Sequence, residues 1–209
     1  MNPIDYKPKA PHDFIGEAKD LALILDRIGA RAVKRSRPVK IMLRGNPGIG
    51  KSALIDRLLE QIGVHKWSLN KLNAGEFTAE KLDDWKRGLC FAELYGNYRA
   101  LWLEEVDKLN PAVQVRMLTL LDDLPDHTAI VCTSNKGVEQ FDPRFHSRFQ
   151  TFSLEAPPEE EIRWLLKKFG LRKDDINRIA TFAAGNVRLA LFDAQSALDE
   201  LAALKGGRT

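Results

Sequence analysis

Gly45-Asn46-Pro47-Gly48-Ile49-Gly50-Lys51-Ser52 fits the pattern G-x-x-x-x-G-K-[ST]. The apolar run Val39–Leu43 precedes it. Ala53-Leu54-Ile55, Leu58-Leu59 and Ile62 follow with helical spacing. Strand, glycine loop and helix in that order is the context in which the pattern binds phosphate. Glycine lets backbone N–H groups turn toward phosphate oxygens, and the helix N-terminus adds partial positive charge. Lys51 would reach the β- and γ-phosphates of a nucleotide triphosphate, and the Ser52 hydroxyl would ligate Mg2+. The expected nucleotide contacts are therefore Asn46, Pro47, Gly48, Ile49, Gly50, Lys51, Ser52 and Ala53.

The rest of the chain extends this βα unit. Strands are expected near Trp67–Leu72, Arg99–Leu103, Thr128–Thr133 and Phe149–Leu154. Helices are expected after Gly16 (Leu21, Ile24, Leu25, Ile28 and Ala32 on one face), from Thr78 to Tyr95, and from Pro111 to Leu121. Strands alternating with helices predict a three-layer α/β sandwich around a five-stranded parallel sheet. Pro157-Pro158 breaks the alternation. Beyond it the stripes Ile162, Leu165, Leu166, Phe169 and Ile176, Ile179, Ala180, Ala183 are helical, with Gly185 placed to end the second helix and a third starting at Asn186. The expected division is a nucleotide-binding core over 1–154 and a small all-α lid over 155–209.

Of 209 residues, 44% are hydrophobic and 29% charged, enough for one good core, or for a core plus a small second domain. The net charge of +3 and pI of 8.8 are compatible with nucleic acid without requiring it. Arg31, Lys34, Arg35, Arg37 and Lys40 form a basic stretch. It reads either as helix-end cations suited to the C-terminal dipole or as a contact to DNA phosphates. The two cysteines, Cys90 and Cys132, give no disulfide framework and no zinc spacing, and the four histidines do not cluster. Cys132 reads as a core residue. No secretory leader or membrane-length apolar run is present, so a cytoplasmic setting is expected. The tail Gly206–Thr209 is expected to fray.

Four further features carry chemistry. Leu101-Trp102-Leu103 runs into Glu104-Glu105-Val106-Asp107, a hydrophobic strand ending in acids. Glu104 would hold Mg2+, usually through water, and Glu105 would deprotonate the attacking water. Asn135, at the end of the fourth strand, would position that water or the γ-phosphate. Arg148, with Arg144 as an alternative, is a candidate arginine finger acting on a neighbour's γ-phosphate. Arg188, opening the last lid helix, would reach the γ-phosphate from the lid.

With these elements in this order, the chain resembles an AAA+ ATPase, and specifically the clamp-loader subunits. Tyr6-Lys7-Pro8-Lys9 and Asp13-Phe14-Ile15-Gly16-Glu17 are similar to the box that packs on adenine in that family. The resemblance implies ATP as cofactor with Mg2+, and makes Tyr6, Ile15 and Gly16 base contacts. It makes Asn135 sensor 1, Arg188 sensor 2, and Ser147-Arg148-Phe149 the finger motif. Gln114 and Arg116 stand where clamp loaders place Gln-x-x-Leu-Arg. Implied partners are other AAA+ subunits, DNA, and a sliding clamp or replication protein.

Three departures qualify the resemblance. Glu104 replaces the usual aspartate, adding one methylene at a metal that prefers near-ideal octahedral geometry. Phe149 replaces a cysteine. The sequence also ends where clamp-loader subunits continue into a helical collar, so assembly is expected to rest on ATP-bridged contacts, DNA or a partner chain. The leading expectation is an ATPase that assembles on DNA. The alternatives are an ATP-binding structural subunit with little turnover, and an AAA+ remodeller or helicase loader.

Overall fold

A computed structural model describes residues 2–89 and 96–206. Its five strands are β1 (Val39–Gly45), β2 (Val64–Asn73), β3 (Tyr98–Glu104), β4 (Thr128–Ser134) and β5 (Gln150–Leu154). They form one sheet in the order β2-β3-β4-β1-β5, and every pairing is parallel. Parallel strands need crossovers, and five of the helices flank or connect them: α1 (Glu17–Arg35), α2 (Lys51–Gln61), α3 (Ala79–Gly88), α4 (Pro111–Asp122) and the short α5 (Pro143–His146). The α/β sandwich with a parallel five-stranded sheet is therefore present as the strand–helix alternation predicts.

Alternation along each strand divides the core into two layers. Ile41, Leu43, Ala100, Trp102, Ala129 and Val131 face α1 and α2. Met42, Leu101, Leu103, Ile130 and Cys132 face α3 and α4. Strands buried on both faces read as continuous apolar runs, which is why β1, β3 and β4 are visible in the sequence. Cys132 is fully buried, and burial pushes its thiol well above the usual range. A third apolar cluster joins α6 (Glu159–Leu166), α7 (Lys173–Ala183) and α8 (Val187–Gly206), with Ile15 packed into it.

Several expectations need correction. Ile24 is exposed rather than on the inner face of α1. Ala18, Leu21, Ala22, Leu25, Gly29 and Ala32 form that face. Gly29 lets Leu58 of α2 and Ile62 just after that helix approach closely, and a Cβ there would lie 3.2 Å from Leu58. The helix expected to reach Tyr95 ends at Gly88; Cys90–Tyr95 lie outside the described residues. Gly185 ends α7 as expected: Ala184 is the C-cap at φ 45°, and Gly185 follows at φ 88°. α8 extends through Gly206, and Gly207–Thr209 lie outside the described residues.

Candidate nucleotide site

Parallel strands bring their C-terminal ends to one edge of the sheet. Leu43 pairs with Thr133, Leu103 with Cys132, and Glu104 with Asn73. The residues after these strands therefore converge from four distant parts of the chain. They line a cavity of about 480 Å3 at this edge.

The loop after β1 forms the floor. Gly45, Gly48 and Gly50 have φ of 141°, 78° and 106°, values that side chains rarely tolerate. A Cβ on Gly45 would collide with the carbonyl of Leu154, whereas Gly50 faces open space. The loop leads into α2, whose first residue, Lys51, is buried. Its ammonium donates to the carbonyls of Gly45 at 2.7 Å and Asn46 at 2.8 Å, and to Oδ1 of Asn135 at 3.0 Å. Burial, and then the nearby Arg188, pull the Lys51 pKa down to about 8.

The acids at the end of β3 divide their work. Glu105 sits in a left-handed conformation, φ 54° and ψ 50°, which turns its carboxylate back toward the strand ends. One oxygen accepts from Asn73 Nδ2 at 3.0 Å and Lys108 Nζ at 2.6 Å; the other lies 3.5 Å from Asn135 Nδ2. The Lys108 and Asn73 hydrogen bonds hold this carboxyl below the usual range. Asp107 faces β4, accepting from the Ser134 hydroxyl at 3.0 Å and the Asn135 amide N–H at 3.1 Å. It thereby fixes the loop on which Asn135 sits. Glu104 lines the cavity but pairs with Lys71 of β2 at 3.2 Å.

The cavity wall is completed by the N-terminal segment and the last helices. Tyr6 stands against Phe169 edge-on, with centroids 5.7 Å apart. Its hydroxyl donates to the Asp13 carbonyl at 2.7 Å, and burial raises its pKa to about 12. The Arg188 side chain lines the cavity, and its backbone N–H donates to the Gly48 carbonyl at 3.1 Å. α8 thus touches the glycine loop directly.

Of the residues read from the sequence, Tyr6, Ile15, Pro47, Gly48, Ile49, Gly50, Lys51, Ser52, Ala53, Glu104, Glu105, Asn135 and Arg188 share this cavity. Gly16 and Asn46 are not on its wall. The Gly16 N–H is taken by the Glu161 carboxylate, and Asn46 meets the site through its carbonyl on Lys51. Arg148 is also elsewhere, held by Asp122 through two hydrogen bonds of 2.6 and 2.7 Å. Arg144 pairs with Asp142. Gln114 is buried and ties Leu109 to Asp142, and Arg116 lies 3.9 Å from Asp83. Asn73, Leu191 and Phe192 also line the cavity and escaped the sequence reading, and Phe14, quoted only as part of the adenine box, lines it too. Only the pairing of β2 with β3 reveals Asn73. The apolar residues read as ordinary core.

The model of the ATPase family associated with various cellular activities (AAA) matches residues 41–154. The chain belongs to the AAA ATPase family. Among curated relatives, the replication factor C large subunit of Pyrobaculum arsenaticum is 27% identical, over 91% of this chain and 50% of its own length. The replication factor C small subunit of Natronomonas pharaonis is 22% identical, over 92% and 60%. The chain thus spans about half to three fifths of these relatives. Among solved structures, the Thermotoga maritima RuvB Holliday junction branch migration motor superposes with a TM-score of 0.77 at 19% identity, over 95% of this chain and 67% of that one. That superposition takes in the sheet and the helical part after β5.

The wall residues fit the nucleotide that an AAA ATPase binds. The loop offers inward space at Gly50, a buried cation at Lys51 and apolar residues at the far end. Among the described residues no group of three or more His, Cys, Asp or Glu gathers in a metal cage. Ser52 and Glu104 suit Mg2+, which is held by few protein groups together with phosphates and water. Among the described residues no helix is long and apolar enough to cross a membrane.

Proposed function

We propose that this chain binds Mg-ATP in the cavity and hydrolyses it at a subunit interface. The observation that carries the reading is the contact line Lys51–Asn135–Glu105. It places a phosphate-seeking cation, an amide and a carboxylate side by side at the strand ends. Lys51 and the loop amides neutralise and orient the phosphates, and Asn135 spans from the γ-phosphate to the attacking water. Glu105 accepts the proton of that water. Ser52 and Glu104 hold the Mg2+, which when bound spreads the charge developing on the phosphates. Tyr6 and Ile15 flank the base, and Arg188 reaches the γ-phosphate from the lid helices, the unit we assign to residues 155–209. Arg148 pairs with Asp122 in its own subunit and acts on the cavity of a neighbouring AAA subunit.

The likeness to replication factor C subunits supports assembly on DNA in a clamp-loader-like role, with a sliding clamp or another replication protein as partner. Glu105→Gln tests the chemistry: it should bind ATP and stop hydrolysing it, and normal turnover would refute the assignment. Arg148→Ala should also abolish turnover while sparing binding, and mixing it with Lys51→Ala should restore activity. Sizing the protein with ATPγS, with and without primed DNA, tests assembly; no change in size under any condition would count against it.

One observation favours a second reading, an ATP-binding structural subunit with little turnover. Both acids of the β3 end are engaged by lysines, Glu104 by Lys71 and Glu105 by Lys108. Glu104→Asp separates the readings: a large gain over a nearly inactive parent favours the structural role, and no change favours the enzyme.

A further inference from the structure

Lys71 lies on β2, one of the two edge strands of the sheet, and its register partner on β3 is Trp102. Its ammonium sits 3.7 Å from the Trp102 ring centroid and 3.2 Å from Oε1 of Glu104. Trp102 is fully buried, so this ring is a fixed platform. A cation above an aromatic face and beside a carboxylate is held by two attractions at once. Glu104 carries one methylene more than aspartate and can therefore swing between this cation and the cavity, whose wall it also forms.

We propose that Lys71 is a built-in counter-ion of the metal carboxylate, occupying Glu104 until Mg-nucleotide draws it away, and so sets how strongly nucleotide binding depends on the metal. The inference rests on the nucleotide site proposed above and deepens it. With nucleotide in place, Mg2+ must compete with an ammonium that is already tethered on the protein. Every metal-bound state therefore forgoes the Lys71–Glu104 attraction. Glu at this position is what permits the exchange, because the shorter aspartate would sit farther from Lys71. Lys71 acts through Glu104 and is a positioning residue.

The test measures metal dependence rather than turnover. ATPγS affinity is determined by titration calorimetry in EDTA and in saturating Mn2+, and the ratio of the two dissociation constants is the metal gain. Lys71→Met keeps a stem over the Trp102 ring and removes the charge. Since a half-exposed ion pair is forgone, the metal gain should rise about two- to fivefold. Lys71→Arg should keep the parental gain. In a Glu104→Gln background, Lys71→Met should have no further effect, because the carboxylate for which the two cations compete is absent. An unchanged or lower gain in Lys71→Met would overturn the proposal. So would an equal rise in the Glu104→Gln background, which would reveal a general field effect of the lysine. If the parent protein fails to bind ATPγS in either condition, the nucleotide site itself falls and the inference with it. That outcome differs from binding with unaltered metal gain.

Discussion

Asn73 reaches Glu105 from a strand 32 residues earlier in the chain, donating its amide to the carboxylate at 3.0 Å. Lys108 shares the same oxygen at 2.6 Å. Together they hold the Glu105 carboxyl below its usual range and aim it at the end of β2. A base with a depressed pKa is weaker, and its activity disappears only as pH falls through that low value. Lys108→Ala removes the larger influence, so the Glu105 pKa should rise toward the ordinary glutamate value. The acid limb of the ATPase profile should move to higher pH, with turnover near neutrality up by about two- to tenfold. Steady-state rates from pH 8 down to well below the ordinary glutamate value would show this. An unmoved acid limb would mean that Lys108 leaves Glu105 before the chemistry.

Lys51 offers a second pH dependence, of opposite sense. Its pKa in the free protein is about 8, against an ordinary lysine value of 10.5, because burial and Arg188 disfavour the charge. Nucleotide phosphates favour the charged form, so binding above pH 8 must take up a proton, and affinity should fall as pH climbs past 8. The linkage for the free fold runs the other way. Below pH 8 the lysine is charged in both folded and unfolded chains and its burial is costly. That cost is relieved as pH rises from about 8 toward 10.5. Calorimetry of ATPγS binding at pH 7 and 9, in buffers of different ionisation enthalpy, measures the proton uptake. Lys51→Arg, which stays charged throughout, should show none.

Gly48 and Asn186 couple the phosphate loop to α8. Asn186 Oδ1 accepts from the Leu189 N–H at 3.0 Å, and a Cβ on Gly48 would collide with that same oxygen. Gly48→Ala should therefore displace the first turn of α8 and with it Arg188. Its φ of 78° adds backbone strain of about 1–2 kcal/mol. Asn186→Ala frees the space at the cost of the Leu189 hydrogen bond. The double variant should bind nucleotide better than Gly48→Ala alone. Two losses that simply add would show that the collision is relieved by some other movement.

The parts legible in the sequence are those where local chemistry decides the structure. β1, β3 and β4 are apolar runs because both faces of each strand are buried, and the glycine loop demands particular residues at particular places. Ile24 misled because an apolar residue at helical spacing can still face outward, while Ala22 and Gly29 pack closely with no apolar bulk to advertise them. Asn73 and Lys71 were silent because strand pairing alone sets them beside Glu105 and Glu104. Gly16 matched its family box, yet its N–H is engaged by Glu161, a residue 145 positions away. Long-range register, rather than composition, separates the residues that line the site from those that only resemble it.

Phe149 stands where the resemblance to clamp loaders implies a cysteine, and it is buried for a reason of its own. Its ring lies 5.1 Å from Phe145, which in turn lies 6.4 Å from Phe141, so three tilted aromatic rings form a cluster in the segment leading to β5. Phe149→Cys would restore the family residue but leave a cavity beside Phe145, whose side chain is fully buried. The expected cost is about 2–4 kcal/mol, close to that of other large-to-small aromatic replacements. Urea unfolding would report it as a lower midpoint with an unchanged slope. Arg148 is the neighbouring residue and leans on Asp122 at the surface. The variant should therefore also slow ATP turnover in assembled protein, while ATPγS affinity measured on isolated subunits stays at the parental value. A stability change near zero would show that the aromatic cluster is not what holds this segment in place.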